Sequence, residues 1–222
     1  MKRNYFYIPL IIVMIFSGWN IKSQNPGDEG SADTQRVFDL NTNYLNFPVS
    51  YDEKDGVTLQ LVIDDEVERV FDIYLADSDP DFWVFLDVSK FQGEKALLKT
   101  ENGEKKKGLD LVYQSDEREY LDDVYTEKHR PQIHFSTVRG WINDPNGLVY
   151  YDGEYHLYFQ HYPFGYYWGQ PHWGHAVSTD LVHWEQLPDA LVRHEHGGIF
   201  SGSSVVDYQN TSGFKSGDND VI

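Results

Sequence analysis

The stretch LVYYDGEYHLYFQ, residues 148–160, decides the fold class. Two runs rich in aromatic and branched apolar residues flank Asp152-Gly153. A two-residue Asp-Gly loop supplies the positive φ angles of a type I′ turn, so the stretch predicts an antiparallel hairpin. Working outward, HWGHAVS (172–178) is a third strand candidate, and HWEQL (183–187) follows as a fourth after a Ser-Thr-Asp-Leu turn. GSSVVDY (202–208) starts another. Four short antiparallel strands within about 45 residues, then one more of the same kind, is the period of one β-propeller blade leading into the next. One blade and one strand close no ring.

Upstream, VTLQLVI (57–63), VFDIYL (70–75) and FWVFLDV (82–88) are strand-length runs separated by Asp, Gly and Pro clusters. Their spacing predicts an all-β, sandwich-like unit over residues 36–113. ENGEKKKG (101–108) is a charged turn or loop, and the polar run 114–129 is a linker into the blade-forming region 130–222. Residues 24–35 are small and polar with no apolar period, the composition of a disordered leader.

Residues 1–23 open with basic Lys2 and Arg3, continue through an apolar run from Tyr5 to Trp19, and end on the small residue Ser23. That run is shorter than the roughly 20 residues a bilayer demands, so a signal peptide is the expectation and an uncleaved anchor its rival. The expected location is therefore periplasmic or extracellular. The chain contains no cysteine, which removes lipidation at a cleavage-site Cys, disulfides, thiol nucleophiles and thiolate metal sites.

Lys+Arg total 18 against 36 Asp+Glu, a formal net charge of −18. Such a surface repels phosphate backbones and anionic lipid, which excludes nucleic acid and peripheral membrane partners and favours a neutral ligand. Residues 51–100 hold thirteen acids and five basic residues, a solvated acidic surface. Trp, Tyr and His interleaved with Gly crowd the second half; they suit strands and core packing, and their flat faces also stack on sugars.

WINDPNG (141–147) carries two turn-forming pairs, Asp-Pro and Asn-Gly, and one carboxylate. By itself it reads as a turn. Because the residue before a proline is pushed into an extended conformation, Pro145 also restricts how Asp144 is presented.

The surrounding run, HRPQIHFSTVRGWINDPNGLVYYDGEYHLYFQHYPFGYYWGQPHWGHAVSTDLVHWEQLPDALV with GGIFSGSSVV after it, resembles glycoside hydrolase family thirty-two, the levanases, inulinases and invertases. The resemblance spans residues 130–208, with Ile142 where the family commonly has Met. Residues 37–112 are similar to the β-rich accessory domain of levanase-type members. The resemblance implies a five-bladed propeller, with Asp144 as nucleophile on the innermost strand of the first blade. It also implies a fructosyl pocket of Asn143, Gln160, Trp168, Phe200 and Ser201, a fructan or sucrose-type substrate, and no cofactor.

Retaining hydrolysis takes a second carboxyl group about 5 Å away. The family's acid/base lies in a Glu-Cys motif and its transition-state stabiliser in Arg-Asp-Pro; neither motif occurs here. Glu154, Glu185 and Glu195 are substitutes on paper and read better as solvated surface. The expectation is a chain cut inside its second blade and inactive alone. Seven of 9 histidines fall within residues 156–196, but no third ligand stands at fixed spacing, so a metal is not expected. A non-catalytic glycan binder and a fructosyltransferase remain open alternatives, with levan favoured over inulin or sucrose as substrate.

Overall fold

The computed structural model describes residues 34–118, 124–193 and 197–222, so the expected signal peptide and His194-Glu195-His196 lie outside the described residues. The described chain is all-β. Its first part forms two facing sheets. One has the order β1-β6-β3-β4, from β1 (Gln35–Asp39), β3 (Val57–Ile63), β4 (Glu66–Ile73) and β6 (Lys95–Thr100). The other has the order β5-β2-β7, from β2 (Tyr44–Val49), β5 (Phe82–Asp87) and β7 (Tyr113–Ser115). β1 starts at Gln35, inside the expected leader, because Gln35 pairs with Lys99; β7 likewise extends the sheet to Ser115, inside the expected linker, by pairing with β2.

The alternation in β3 explains the sandwich. Val57, Leu59, Leu61 and Ile63 point inward while Thr58, Gln60 and Val62 stay half-buried outside. They meet Leu45, Phe47 and Val49 of β2, together with Phe71, Ile73 and Leu98. Arg36 closes one end, its guanidinium donating to the carbonyls of Leu109, Asp110 and Val112.

The second part is a four-stranded up-and-down sheet in the order β11-β10-β9-β8: β8 (Trp141–Tyr151), β9 (Glu154–Tyr162), β10 (His172–Ser178) and β11 (Glu185–Leu191). This is the layout of a propeller blade. Asp152 (φ 50°) and Gly153 (φ 86°) make the expected turn between β8 and β9. All seven residues of β10 are buried, and Gly174 lets β9 approach: a Cβ there would stand 2.3 Å from the Phe159 ring.

Two expectations are corrected. WINDPNG is not a turn but the first part of β8, which absorbs its turn-forming residues in register shifts between Ile142 and Pro145 and between Asn146 and Val149. Bulges on an edge strand tolerate a proline and a positive-φ glycine, here Gly147 at φ 48°. Residues 202–208 do not form a strand. Their neighbours provide the isolated bridge Asp207–Val221, turn bonds onto the Asp207 carboxylate from Thr211 and Ser212, and two bonds to Gly147, one from its N–H to the Gly202 carbonyl and one from the Ser204 hydroxyl to its carbonyl. Small Gly202, Ser203 and Ser204 offer little surface to pack, so no ladder grows.

The two parts share one core. Tyr162, the last residue of β9, and Phe164 just past it are buried with the sandwich residues, and the Phe164 ring stacks on Phe71 at 4.0 Å. The Tyr162 hydroxyl bonds both the N–H and the carbonyl of Asp72. Arg139 donates to the Trp83 carbonyl at 2.8 Å, and Arg193 lies 3.6 Å from the Asp72 carboxylate.

Candidate active site

Asp144 lies exposed in the bulged part of β8, where the ladder to β9 is interrupted. Both carboxylate oxygens are engaged: Asn143 Nδ2 donates to Oδ1 at 2.8 Å and Ser201 Oγ donates to Oδ2 at 2.7 Å. A carboxylate clamped on both oxygens yet open to solvent keeps one orientation and can still meet a ligand.

Ser201 comes from a strap, residues 197–202, laid across the end of the blade. Buried Gln160 donates to the Ile199 carbonyl at 2.9 Å, and the Trp173 indole donates to the Phe200 carbonyl at 2.9 Å. Ile199 N–H bonds the Pro171 carbonyl, and Gly198 N–H bonds Gln170 Oε1. The Phe200 side chain is left 69% exposed, so it is free to serve as an apolar wall. Of the residues singled out from the sequence, Asn143, Asp144 and Ser201 touch directly, while Gln160 and Phe200 join through the strap. Trp168 stands apart, 57% exposed, in a cleft of about 330 Å³ with Tyr74, Tyr167 and Gln170; the Gln170 to Gly198 bond links that cleft to the strap.

Neither described candidate for a second carboxyl is near. Glu154 pairs with Tyr151 at the far end of β8, about 23 Å along the strand from Asp144. Glu185 begins β11, three strand spacings from β8 or about 14 Å. Both exceed the roughly 5 Å of a retaining pair.

Behind the site lies a polar network that the sequence reading missed. Asp189 bridges two buried histidines, His161 Nδ1 at 2.8 Å and His172 Nδ1 at 2.9 Å. His161 Nε2 reaches the Arg139 carbonyl at 2.9 Å and the Thr137 hydroxyl at 3.2 Å, and Gln186 Oε1 accepts from Thr137 and from the Val138 N–H. Burial opposes ionisation of Asp189, yet the charge and hydrogen bonds of His161 and the hydrogen bond of His172 hold its carboxyl well below the usual range. Burial likewise opposes protonation of His161, and the Asp189 carboxylate overcomes it, so the imidazole pKa is raised. The network thereby pins the segment that enters β8. A second pair behaves oppositely: His156 Nδ1 meets His175 Nε2 at 3.0 Å, and burial followed by the His156 charge pushes His175 down to about 4. The histidine spacing was the one signal in the sequence, but its acidic partner sits on a strand more than ten residues away. Among the described residues no three His, Asp or Glu side chains are grouped so as to hold a metal ion.

The Glycosyl hydrolases family 32 N-terminal domain model matches residues 134–220. The levanase of Bacillus subtilis (strain 168) is 62% identical over 93 residues, 42% of this chain and 14% of the levanase. The extracellular exo-inulinase of Aspergillus awamori is 52% identical over 95 residues, 40% of this chain and 18% of the inulinase. The chain thus spans under a fifth of the length of either relative. Among solved structures, exo-inulinase from Aspergillus awamori aligns at 49% identity and TM-score 0.37, covering 44% of this chain and 19% of that one. A glycoside hydrolase family 32 structure from Bifidobacterium adolescentis aligns at 26% identity and TM-score 0.40, covering 78% of this chain and 31% of that one. From His134 to Asp220, the stretch that holds Asp144 and its strap, the chain matches the N-terminal domain of glycosyl hydrolases family 32.

Proposed function

We propose that this chain carries the nucleophile half of a glycosidase that cleaves fructosyl linkages in fructans, levan before inulin or sucrose, by a retaining double displacement. The observation that carries the reading is the double clamp on Asp144, from Asn143 and Ser201. An attacking carboxylate must present one oxygen along a fixed line to the anomeric carbon, and one donor on the bulged edge strand with a second on the strap supplies that orientation. Asp144 attacks the anomeric carbon and forms a covalent fructosyl ester as the leaving oxygen departs. Asn143 and Ser201 hold the carboxylate, Gln160 and Phe200 shape the strap side, and Trp168, which stands apart in its own cleft, belongs to the fructosyl pocket by the family resemblance alone. Among the described residues, neither Glu154 nor Glu185 stands close enough to Asp144 to serve as the protonating carboxyl group. Three propositions accompany the reading: the four-stranded sheet is the first blade of a five-bladed ring, the protein is exported, and no cofactor takes part.

The test is covalent trapping. A mechanism-based fructoside incubated with the protein together with its acid/base partner region, followed by peptide mass mapping, should label Asp144. Asp144→Asn should abolish labelling and lower turnover by at least about 10³-fold. Label on another side chain, or turnover surviving the substitution, overturns the assignment.

A further inference from the structure

A cleft of about 650 Å³ runs along the seam between sandwich and blade. Its sandwich wall is Tyr51, Phe82 and Trp83; its blade wall is Arg130, Ile142 and Tyr166. The aromatic rings form a cluster that crosses the seam. Tyr51 meets Tyr166 edge-on at 4.6 Å and Phe82 at 5.2 Å, and the Tyr166 hydroxyl donates to the Tyr51 carbonyl at 3.3 Å. Tyr51 and Tyr166 nevertheless remain 56% and 44% exposed. Rings locked together at their edges while their surfaces stay in water cost little entropy on contact with a ligand.

Two charged groups of this cleft, Arg130 and Asp81, are engaged by the protein itself, and Arg139 donates to the Trp83 carbonyl. Arg130 is bound by the Glu127 carboxylate, the Ser136 hydroxyl and the carbonyls of Thr137 and Val138. The Asp81 carboxylate accepts from Ser50 and from the Tyr51 N–H. A neutral polyhydroxylated ring finds aromatic faces and a rim of polar groups already held in place. Position completes the argument. Ile142 lines the cleft and stands two residues before Asp144, about 7 Å along an extended strand. The walls cannot drift apart, because Phe71, Tyr162 and Phe164 share one buried core beneath them.

We propose that the seam between sandwich and blade, built on Tyr51, Phe82 and Tyr166, is a subsite for further sugar units of a neutral fructan chain whose terminal unit is held at Asp144. The proposal rests on the functional reading above and adds to it a role for the sandwich in selecting long substrates.

Calorimetric titration of the 222-residue chain with levan-type fructo-oligosaccharides of one, three and six units tests it. The six-unit ligand should bind about tenfold tighter than fructose, and Tyr51→Ala and Tyr166→Ala should each remove about fivefold of that gain. Tyr166→Phe, which keeps the ring and loses only the bond to the Tyr51 carbonyl, should bind like the parent. Thermal melts of each variant show whether the fold is kept, and Tyr51→Ala, on the sandwich, stands independently if Tyr166→Ala unfolds the seam. Equal affinity at every length, no binding of the six-unit ligand, or alanine variants that match the parent overturns the proposal. Trapping at Asp144 does not involve the cleft, so nucleophile and subsite can each fail alone.

Discussion

The sandwich and the blade solve the same problem with different materials. The sandwich buries aliphatic and aromatic side chains from alternating strands, with Leu59, Leu61, Phe47 and Phe71 at its centre. The blade buries polar groups as well: His161, His172, His175, Gln160 and Thr137 are all inside. Hydrophobic burial is non-directional and proportional to area, so it fixes that a sheet packs more firmly than where each atom sits. Hydrogen bonds between buried polar groups have geometry, and an unmet partner is costly. The part of the molecule that must aim a carboxylate is the part built with directional contacts, and it leans on the apolar part for its stability.

That division predicts which substitutions travel across the seam. Phe71→Ala removes a sandwich ring that also stacks on Phe164 of the blade. It should cost about 3–5 kcal/mol, measured by urea denaturation, with fluorescence from both parts lost in a single transition. Two separate transitions, with the blade unaffected, would break the claim of a common core.

Much of the sandwich was legible because its strands alternate cleanly. The run from Val57 to Ile63 is bounded in the structure as the sequence predicts, and so is the run from His172 to Ser178. β1 and β6 were not foreseen, since QRVFD and KALLKT are short and carry charged ends that hide the period. WINDPNG was misjudged locally for a definite reason. Asn, Asp, Pro and Gly are turn formers in isolation, but pairing with β9 overrides that preference and leaves the misfit as bulges. The Asn143 and Ser201 clamp was foreseeable only as membership in a pocket. Its geometry depends on a strap 57 residues away in sequence, which local spacing does not encode. Trp168 is the instructive case, because resemblance puts it among the pocket residues while its nearest surroundings include the sandwich residues Gly56 and Tyr74.

The two histidine clusters sharpen the comparison, because they sit in one blade and respond to acid with opposite signs. Burial and then the His156 charge act on His175 in the same direction, so its folded pKa is about 4 against an ordinary 6.5. A depressed histidine contributes stability in its neutral form, fully present above 6.5 and lost as pH falls through about 4. The loss reaches about 3 kcal/mol once pH is below 4, because each tenfold change in proton affinity between folded and unfolded chains is worth roughly 1.4 kcal/mol. Urea midpoints recorded from pH 7.5 down should fall across this window, and His175→Gln should flatten the slope. A midpoint that stays level in the parent would remove His175 as an acid-sensitive element.

His161 and Asp189 give the smaller effect and the reverse dependence. His161 has a raised pKa, so its contribution is complete below 6.5 and fades as pH rises through the folded value. Asp189 is depressed, so its contribution is complete above 3.8 and fades only as pH falls below it. The pair is therefore strongest between those two values, the interval in which His175 is weakening. Asp189→Asn keeps the shape and removes the charge, and should cost about 2 kcal/mol near pH 5.5. The cost should shrink as pH rises through the raised folded pKa of His161, above which the imidazole is neutral and an amide serves it nearly as well. Because Thr137, Val138 and Arg139 hang from the same network just before β8, the substitution should also slow trapping at Asp144 at pH 5.5, even at temperatures where the protein stays folded. A cost independent of pH would mean that Asp189 acts as a neutral hydrogen-bond acceptor, and the directional positioning ascribed to the blade would then rest on hydrogen-bond geometry alone.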